Sequence, residues 1–309
     1  MTAHMTSFSE QIERHRRELQ VHCYRMLGSL DDAEDSTQET LLRAWRFRDS
    51  FAGRASLRAW LYRIATNVCI DALEKRPRVP TADGELSWLQ PIPDDLLIAA
   101  DDETDAEVVA RETIELAFLV ALQYAAPRAR AVLILRDVLS WRARETAELL
   151  ETTEASVNSA LQRARAALKE HLPARRSEWS VDASAADRAL VARYMEASEA
   201  GDIPALKALF VDDLRFSMPP EPGVFVGRQT IVDFWEDAGF GDPERLGEFR
   251  CLLTFANRQP AVANYLRKPG GTTFEALALD VLTVADGKIT DIVTFAGSLY
   301  PAFGLPETL

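Results

Sequence analysis

The chain has 309 residues, 47% of them hydrophobic, and its 35 Lys and Arg against 48 Asp and Glu give a net charge of −13. This length predicts two or three domains, and the hydrophobic content excludes a disordered protein. No stretch approaches the ~20 apolar residues of a membrane span and the N-terminus lacks a secretion signal, so we expect a cytoplasmic protein without membrane contact. Cys23, Cys69 and Cys251 are far apart and lack metal-ligand spacing. We therefore expect buried thiols, no metal and no cofactor.

The charge is distributed unevenly along the chain. Residues 1–78 and 127–177 carry net charges of +2 and +4, whereas residues 79–126 carry −10 and residues 178–309 carry −9. The negative total therefore conceals two modestly basic segments that are suited to nucleic acid, separated and followed by acidic ones.

Residues 12–75 are predicted to form a small helical domain. Apolar side chains recur at helical spacing, for example at Leu61, Ile64 and Val68. Ser29 is placed to cap a strongly amphipathic helix, whose exposed acidic and amide side chains suit a polar partner helix. The next helix interleaves basic and aromatic side chains, which suits phosphates and unpaired bases, although for Trp60 we expect a place in the core.

A proline-rich acidic connector follows this domain. The prolines between Pro77 and Pro93 prevent one continuous helix, and helical spacing resumes near Asp105. Pro127 suits the first position of a further helix.

Residues 140–169 have the pattern of a helix-turn-helix. Ser140 and Thr153 are suitable N-caps, and apolar residues between Ala147 and Leu168 form a seam for two helices. The second helix exposes polar side chains that suit base edges and basic ones that suit phosphates. These side chains are Ser156, Asn158, Ser159, Gln162, Arg163, Arg165 and Lys169. An ordinary helical hairpin with a solvated basic face is the alternative interpretation.

The remainder of the sequence predicts an α+β domain. An amphipathic helix over residues 186–200 precedes runs of alternating apolar residues, which are typical of strands. The main runs are 249–255, 261–266, 274–284 and 289–295. Asp286 and Gly287 between the last two runs indicate a hairpin.

The helical part of the sequence resembles the extracytoplasmic-function sigma factors of bacterial RNA polymerase. The resemblance rests on ordered motifs at Met26–Thr40, Ser56–Asn67, Asp71–Leu73 and Gln162–Leu168. It implies two all-α sigma domains, a helical bundle and a helix-turn-helix. It also implies two partners: the polymerase core, through the β′ clamp helices and the β flap, and promoter DNA.

The resemblance further implies roles for individual residues. Contacts with the polymerase core are implied for Leu27, Asp31, Asp35, Gln38, Glu39, Leu42 and Trp45. Contacts with the −10 element and its melted strand are implied for Arg54, Ser56, Arg58, Trp60, Arg63 and Asn67. The seven side chains of the second helix named above are implied to bind the −35 element in the major groove. Residues 94–107 of the connector are implied to lie in the polymerase cleft along the path of nascent RNA.

The turn and the start of the second helix both depart from the pattern common in that family. Glu151 and Thr152 occupy the turn of the helix-turn-helix, where glycine is common, so the turn must form without glycine's tolerance of positive φ. Asn158 and Ala160 stand where a basic pair is common. Major-groove recognition is therefore expected to rely on Asn158 and Gln162, which suit adenine, rather than on Arg and guanine.

The C-terminal part resembles the SnoaL-like, NTF2-like fold, in which helices and a curved sheet form a cone around an apolar pocket. Residues considered for a pocket that could hold a small apolar ligand are Trp235, Phe255, Tyr265, Asp280 and Phe295. All four histidines precede this domain, so it holds neither a His–Asp pair nor a His-ligated metal. A carboxylate base at Asp280 with Tyr194 or Tyr265 remains an alternative, but we expect Asp280 to face solvent and the aromatic residues to fill the core.

These observations predict a multidomain protein with two all-α sigma domains and an α+β SnoaL-like cone. The expected segments are region 2 at 8–78, an acidic linker at 79–107, region 4 at 108–173, a second linker at 174–186 and the cone at 187–309. We expect a non-catalytic sigma factor, modulated in cis by contact of the cone with the sigma domains or the linker. The alternatives are a bifunctional chain whose cone is an enzyme, or a free-standing helix-turn-helix regulator.

Overall fold

The computed structural model describes five stretches of the chain. These are residues 8–51, 56–75, 88–98, 116–171 and 185–309. The chain divides into two compact units, which we call the helical unit and the cone unit. The helical unit comprises Met1–Pro80 with Gln90–Pro173, and the cone unit comprises Thr81–Leu89 with Ala174–Leu309.

The helical unit begins with four helices, which we call the first helical module. They are α1 (Phe8–Glu13), α2 (Arg16–Leu27), α3 (Leu30–Arg46) and α4 (Leu57–Lys75), with a short 3-10 turn at Arg48–Ser50. Gly28 ends α2 in the left-handed conformation, with φ of 70°. Ser29 caps α3 as predicted, because its hydroxyl accepts a hydrogen bond from the backbone N–H of Asp32 at 3.3 Å.

The described part of the acidic connector is folded against this module. Tyr24 donates its hydroxyl proton to the carbonyl of Gln90 at 2.8 Å, and the Gln90 side chain binds Ser29 and Asp31. The short helix α5 (Asp94–Ile98) follows, and Leu97 is buried in the same core. The helix expected to resume near residue 105 lies partly outside the described residues.

A second helical module follows. It contains α6 (Leu116–Gln123), α7 (Pro127–Leu133) with a wider helical turn at Ile134–Val138, α8 (Ala143–Leu149) and α9 (Glu154–His171). The predicted helix-turn-helix is formed by α8 and α9.

The N-caps of the helix-turn-helix are only partly as predicted. Pro127 does open α7, and Thr153 caps α9 by accepting from the backbone N–H of Ser156 at 3.2 Å. The prediction for Ser140 is wrong, since α8 begins at Ala143, where the side chain of Glu145 accepts from the backbone N–H of Arg142 at 2.7 Å. A single hydrogen bond from the backbone N–H of Arg142 to the side chain of Glu145 thus replaces the expected serine cap.

The two helical modules share one hydrophobic core. Leu27 and Leu61 of the first module belong to the same buried cluster as Leu135 and Val157 of the second. Arg130 of α7 is buried between them, and its guanidinium donates to the backbone carbonyl of Met26. The helical unit therefore folds around a continuous interior rather than around two separate ones.

The cone unit consists of one mixed sheet and the helices around it. Its helices are α10 (Ala185–Ala200), α11 (Ile203–Leu209) and α12 (Arg228–Ala238), followed at the C-terminal end by a 3-10 segment at Gly297–Phe303. Its strands are β1 (Phe210–Ser217), β2 (Val224–Val226), β3 (Glu248–Ala256), β4 (Gln259–Arg267), β5 (Glu275–Ala285) and β6 (Lys288–Ala296).

The strand order is β2-β1-β6-β5-β4-β3, with β1 parallel to β6 and the other pairs antiparallel. Asp286 and Gly287 adopt positive φ and form the β5–β6 turn, as the sequence predicts. One face of the sheet is covered by α10 at β3 and by α12 at β1. This face forms the inner core of the cone.

Candidate promoter and polymerase surfaces

One exposed face of α3 carries most of the residues expected to bind the polymerase core. They recur at alternating intervals of four and three residues, which places them on one side of a helix. The exposed members are Asp31, Asp35, Gln38, Leu42 and Trp45, and Glu39 lies half-buried beside them. Leu42 and Trp45 keep 52% and 50% of their surface exposed, which marks the face as a candidate protein-binding surface.

Leu27 does not belong to this surface. Its side chain is only 1% exposed and packs in the core of the helical unit, so it offers almost no surface to a partner in this arrangement. A groove of about 360 Å³ beside α3 is lined by the apolar residues Leu27, Val68, Ala72 and Leu73 and by charged side chains. The charged side chains include Asp32, Asp35, Glu39, Asp71, Arg43 and Lys75.

The residues expected at the −10 element divide between two faces of α4. Trp60, Arg63 and Asn67 follow one another at intervals of three and four residues and share one face. Arg58 instead shares a face with Tyr62, and its Nε donates to the carboxylate of Glu18 at 2.7 Å. The sequence placed all of these side chains close together, and the structure separates Arg58 from the others.

The start of α4 explains the position of this surface. The hydroxyl of Ser56 accepts from the backbone N–H of Ala59 at 3.1 Å, so it acts as an N-cap. Trp60 is half-buried against the core and packs on Phe51 at 5.2 Å between ring centroids, in line with the expectation for this residue. Arg54 lies outside the described residues.

The second helix of the helix-turn-helix, α9, exposes all seven predicted side chains in two ridges. Asn158, Gln162, Arg165 and Lys169 form one ridge, and the other contains Ser156, Ser159 and Arg163. Arg165 makes two hydrogen bonds to Asp137, at 2.7 and 2.8 Å. Arg163 donates to the hydroxyl of Ser159 at 3.1 Å. These contacts orient both guanidinium groups on the helix surface.

The turn between α8 and α9 makes a contact that the sequence did not reveal. Glu151 has a positive φ of 51°, so the turn does place a non-glycine residue in the left-handed region. Its carboxylate forms an ion pair with Arg63 of α4. Next to this pair, Trp141 packs on Tyr62 at 5.5 Å between ring centroids. The −10 face of α4 therefore touches the helix-turn-helix.

In the cone unit, Asp280 is the centre of a buried hydrogen-bond network. Its carboxylate accepts from Tyr194 of α10 at 2.9 Å, from Asn264 of β4 at 2.6 Å and from Thr294 of β6 at 2.5 Å. The expectation that Asp280 faces solvent is wrong, since the residue is 7% exposed. Its strand is covered on the inner face by α10, which the alternating pattern of β5 alone did not show. Burial raises the pKa of Asp280, and the three donors act against that rise.

The remaining residues considered for the pocket do not share one face of the sheet. Val262 pairs with Asp280 across strands and with Leu253, so Phe255, two residues further along β3, lies on the face of Asp280. Trp235 packs on the aromatic rings of β1 in the inner core.

Phe295 and Tyr265 lie on the opposite face. Phe295 pairs with Leu279, and the Tyr265 hydroxyl donates to the carbonyl of Pro306. Tyr194 is therefore the tyrosine that contacts Asp280, and Tyr265 is not.

The described residues offer neither a metal-binding cluster nor a membrane-spanning helix. No group of His, Cys, Asp and Glu side chains there is arranged to hold a metal ion. In the same part of the chain, no helix combines the length and the apolar character that crossing a membrane requires.

Comparison with known proteins gives the family. Family models of sigma-70 region 2, sigma-70 region 4 and a SnoaL-like domain match residues 11–79, 116–168 and 191–292. The ECF RNA polymerase sigma factor SigG of Mycobacterium tuberculosis is 43% identical over 98% of this chain and 85% of its own length. The chain therefore belongs to the ECF RNA polymerase sigma factors, and its C-terminal part is a SnoaL-like domain. The resemblance stated from the sequence is confirmed, and so is the fold class.

A second relative shares the same three-part organisation. SigJ of Mycobacterium tuberculosis, also an ECF RNA polymerase sigma factor, is 33% identical over 90% of this chain and 88% of its own length. Its crystal structure matches with a TM-score of 0.64 at 25% identity, covering 97% of this chain and all of that one. The full-length match includes the cone as well as the helical modules.

Proposed function

We propose that this chain directs core RNA polymerase to promoters through three surfaces of the helical unit, and that its cone modulates this activity in cis. The observation that carries the proposal is the exposed face of α3. Leu42 and Trp45 are half exposed there beside Asp35 and Gln38, a combination of apolar and polar side chains that is typical of a protein interface. We assign this face to the β′ clamp helices of the polymerase.

The −10 element is assigned to one face of α4. Arg63 and Asn67 supply a cation and an amide for the phosphates and bases of the melted strand, and Trp60 supplies the adjacent aromatic ring. Arg58 is a positioning residue in this proposal, since its guanidinium is held by Glu18 and Tyr62. Arg54 remains a candidate from the sequence.

The −35 element is assigned to α9. Asn158 and Gln162 are exposed on one ridge, and amide side chains can make paired hydrogen bonds to adenine in the major groove. Arg165 and Lys169 continue the ridge and suit phosphates, as does Arg163 on the neighbouring ridge. Recognition should therefore favour A·T pairs over the first turns of α9.

The proposal for the cone rests on charge. Residues 178–309 carry −9, whereas the two helical segments carry +2 and +4, so docking of the cone on the helical modules is electrostatically favourable and should weaken as salt increases. A small apolar ligand in the cone would provide a signal for such a switch. The acidic connector, for which we propose a path through the polymerase cleft, carries a further −10 over residues 79–126.

The enzymatic alternative for the cone receives less support. A general base needs a free oxygen within reach of a substrate proton. The oxygens of Asp280 accept three hydrogen bonds from protein side chains, and the residue is buried. Tyr194 donates to the same carboxylate. This arrangement supports a role of Asp280 in holding the cone together, and we propose that the chain is not an enzyme.

Run-off transcription with core polymerase tests the proposal. The full chain is compared with a chain lacking residues 178–309 over a range of salt concentrations, on a promoter selected with the full chain. We expect the truncation to change transcript yield at low salt and the difference to shrink as salt increases. Equal yields with equal salt response would contradict modulation by the cone. Absence of transcript with every chain would contradict the assignment of the three surfaces.

A further inference from the structure

The two surfaces assigned to promoter DNA contact each other inside the helical unit. Arg63, on the −10 face of α4, is ion-paired with Glu151 in the turn that precedes α9. These residues are 88 positions apart in the sequence, so the contact joins the two helical modules. A phosphate approaching Arg63 would meet the negative charge of Glu151, so the ion pair and the DNA contact compete for one guanidinium.

The ion pair lies at the edge of a larger contact between the modules. Trp141 packs on Tyr62, the neighbour of Arg63 on α4, with the two ring planes tilted by 54°. On another side of the same interior, Arg130 of α7 donates to the carbonyl of Met26 at the end of α2. The ion pair between Arg63 and Glu151 therefore adds to an interface that already holds the modules together.

This packed arrangement cannot serve both promoter elements at once. The −10 and −35 elements are separated by about 25 base pairs, or about 85 Å of duplex at about 3.4 Å per base pair. In the structure, by contrast, the −10 face and the helix-turn-helix are joined by a direct ion pair. Simultaneous recognition requires that the two modules separate.

The presence of a glutamate at position 151 also supports a role for its contact with Arg63. Its φ of 51° is a conformation that glycine adopts more easily than glutamate does, so the backbone alone gives no reason for glutamate at this position. The carboxylate is what glutamate adds, and it lies on Arg63. Glu151 is thus explained by the contact that it makes with the −10 helix.

We propose that the turn of the helix-turn-helix is a latch on the −10 helix. In the free protein Glu151 holds Arg63, the modules stay closed and the promoter surfaces are unavailable together. Binding to the polymerase core selects the open form and releases Arg63 for DNA. This inference rests on the proposed assignment of the surfaces, but the closed state itself can be measured without polymerase or DNA.

The expected shift of the equilibrium between closed and open forms follows from the exposure of the Arg63–Glu151 ion pair. The side chains of Arg63 and Glu151 are 44% and 70% exposed, and exposed ion pairs of this kind shift equilibria by about two- to fivefold. If only the open form binds the polymerase core, removing the pair should tighten the apparent dissociation constant by the same factor.

Distance measurements on the full chain test the latch. Spin labels at Asp49→Cys and Glu170→Cys report the separation of the modules, because both positions are exposed, whereas the three native thiols are buried. Four chains are compared: the labelled parent, Glu151→Gln, Arg63→Gln and the double variant. The same chains are titrated with core polymerase in the absence of DNA, so that any role of Arg63 at the promoter does not enter.

We expect short distances to dominate in the parent. Glu151→Gln should increase the population of long distances and tighten core binding by about two- to fivefold. Arg63→Gln should act similarly, and the double variant should add nothing further, since both changes remove one interaction. Glu148→Gln is the matched control, because it breaks an exposed pair with Arg144 inside α8 and should change neither reading.

Two results would overturn the latch. One is unchanged distances and core affinity in Glu151→Gln, and the other is an effect of Glu151→Gln that persists in full in the Arg63→Gln background. A wrong assignment of the surfaces to the polymerase and the promoter would give a different result from either of these. In that case no chain supports transcription with the core, while the distances still report whether Glu151 holds the modules closed.

Discussion

The helical unit and the cone unit each bury a charged side chain, and they satisfy it in different ways. Arg130 in the helical unit is 2% exposed and donates to the carbonyls of Met26, Gln123 and Ala125. These carbonyls lie at the C-terminal ends of α2 and α6, where unpaired backbone oxygens carry partial negative charge. Asp280 in the cone unit accepts instead from three side chains on α10, β4 and β6.

The two ways of pairing a buried charge correspond to whether the paired elements have to separate in the proposed mechanism. Of the backbone carbonyls that Arg130 binds, only that of Met26 belongs to the other helical module. Water can replace this bond when the modules separate, because a carbonyl and a guanidinium are both readily hydrated. The network of Asp280 joins three elements of a single domain, and nothing in the proposed mechanism requires them to part. The same kind of buried charge thus suits a separable interface in one unit and a permanent core in the other.

Removing the carboxylate of Asp280 should give the largest effect. Asp280→Ala leaves the donors of Tyr194, Asn264 and Thr294 without their acceptor in a buried site, so we expect a loss of about 3–5 kcal/mol of unfolding free energy in the cone unit. Hydrogen exchange of peptides from β4 and β5 measures this loss in the full chain.

Asp280→Asn is the matched control for this prediction. An amide oxygen can still accept from Tyr194 and Asn264, and the Thr294 hydroxyl can rotate to accept from the new NH₂ group, so the cost should stay below about 1 kcal/mol. Similar exchange in the alanine variant and the parent would show that the network does not hold the cone together.

Substitution of Arg130 should have a smaller effect, confined to the helical unit. Arg130→Met keeps much of the buried volume but leaves the carbonyls of Met26 and Gln123 without this donor, so we expect a loss of about 2–3 kcal/mol. Hydrogen exchange of peptides from α2 and α7 reports it. Arg128→Met removes the same charge from an exposed position on the same helix and should change exchange little. Equal effects of the two variants would attribute the loss to net charge rather than to the buried bonds.

The sequence predicted features that depend on local patterns. Helical spacing, the cap at Ser29 and the Asp286-Gly287 hairpin are short-range signals, and each is present in the structure. The exposed side chains of α9 were predicted for the same reason, since one face of an amphipathic helix is apolar and the other is not.

Features that depend on packing between distant elements were not predicted. Asp280 was expected at the surface because alternation along β5 does not show that α10 covers that strand. The sequence groups Arg58 with Trp60 because both lie near the start of one helix, but a helical step of two residues points to different sides. The contact between Glu151 and Arg63 had a weak sign in the sequence, a glutamate where the family commonly has glycine, but its partner could only be identified from the packing of the two modules.

A fall in pH should change the stability of the two units in opposite directions. His22 is fully buried on α2, accepts or donates one hydrogen bond with Thr66 at 2.9 Å and lies near Arg25 and Arg58. Burial and the two arginines lower its pKa to about 3. The unfolded chain binds a proton near the usual His pKa of about 6.5, so the helical unit should lose stability as pH falls below that value. The loss should reach about 2 kcal/mol at a pH of about 5.

The cone unit should respond in the opposite direction. Burial raises the pKa of Asp280 above its unfolded value, so the folded cone takes up a proton before the unfolded chain does and gains stability as pH falls through that raised pKa. Hydrogen exchange of α2 and β5 peptides from one sample, corrected for intrinsic exchange rates, compares the two slopes directly. His22→Asn should flatten the slope of the helical unit alone. Parallel slopes for α2 and β5 would mean that these two buried groups do not govern the pH response of their units.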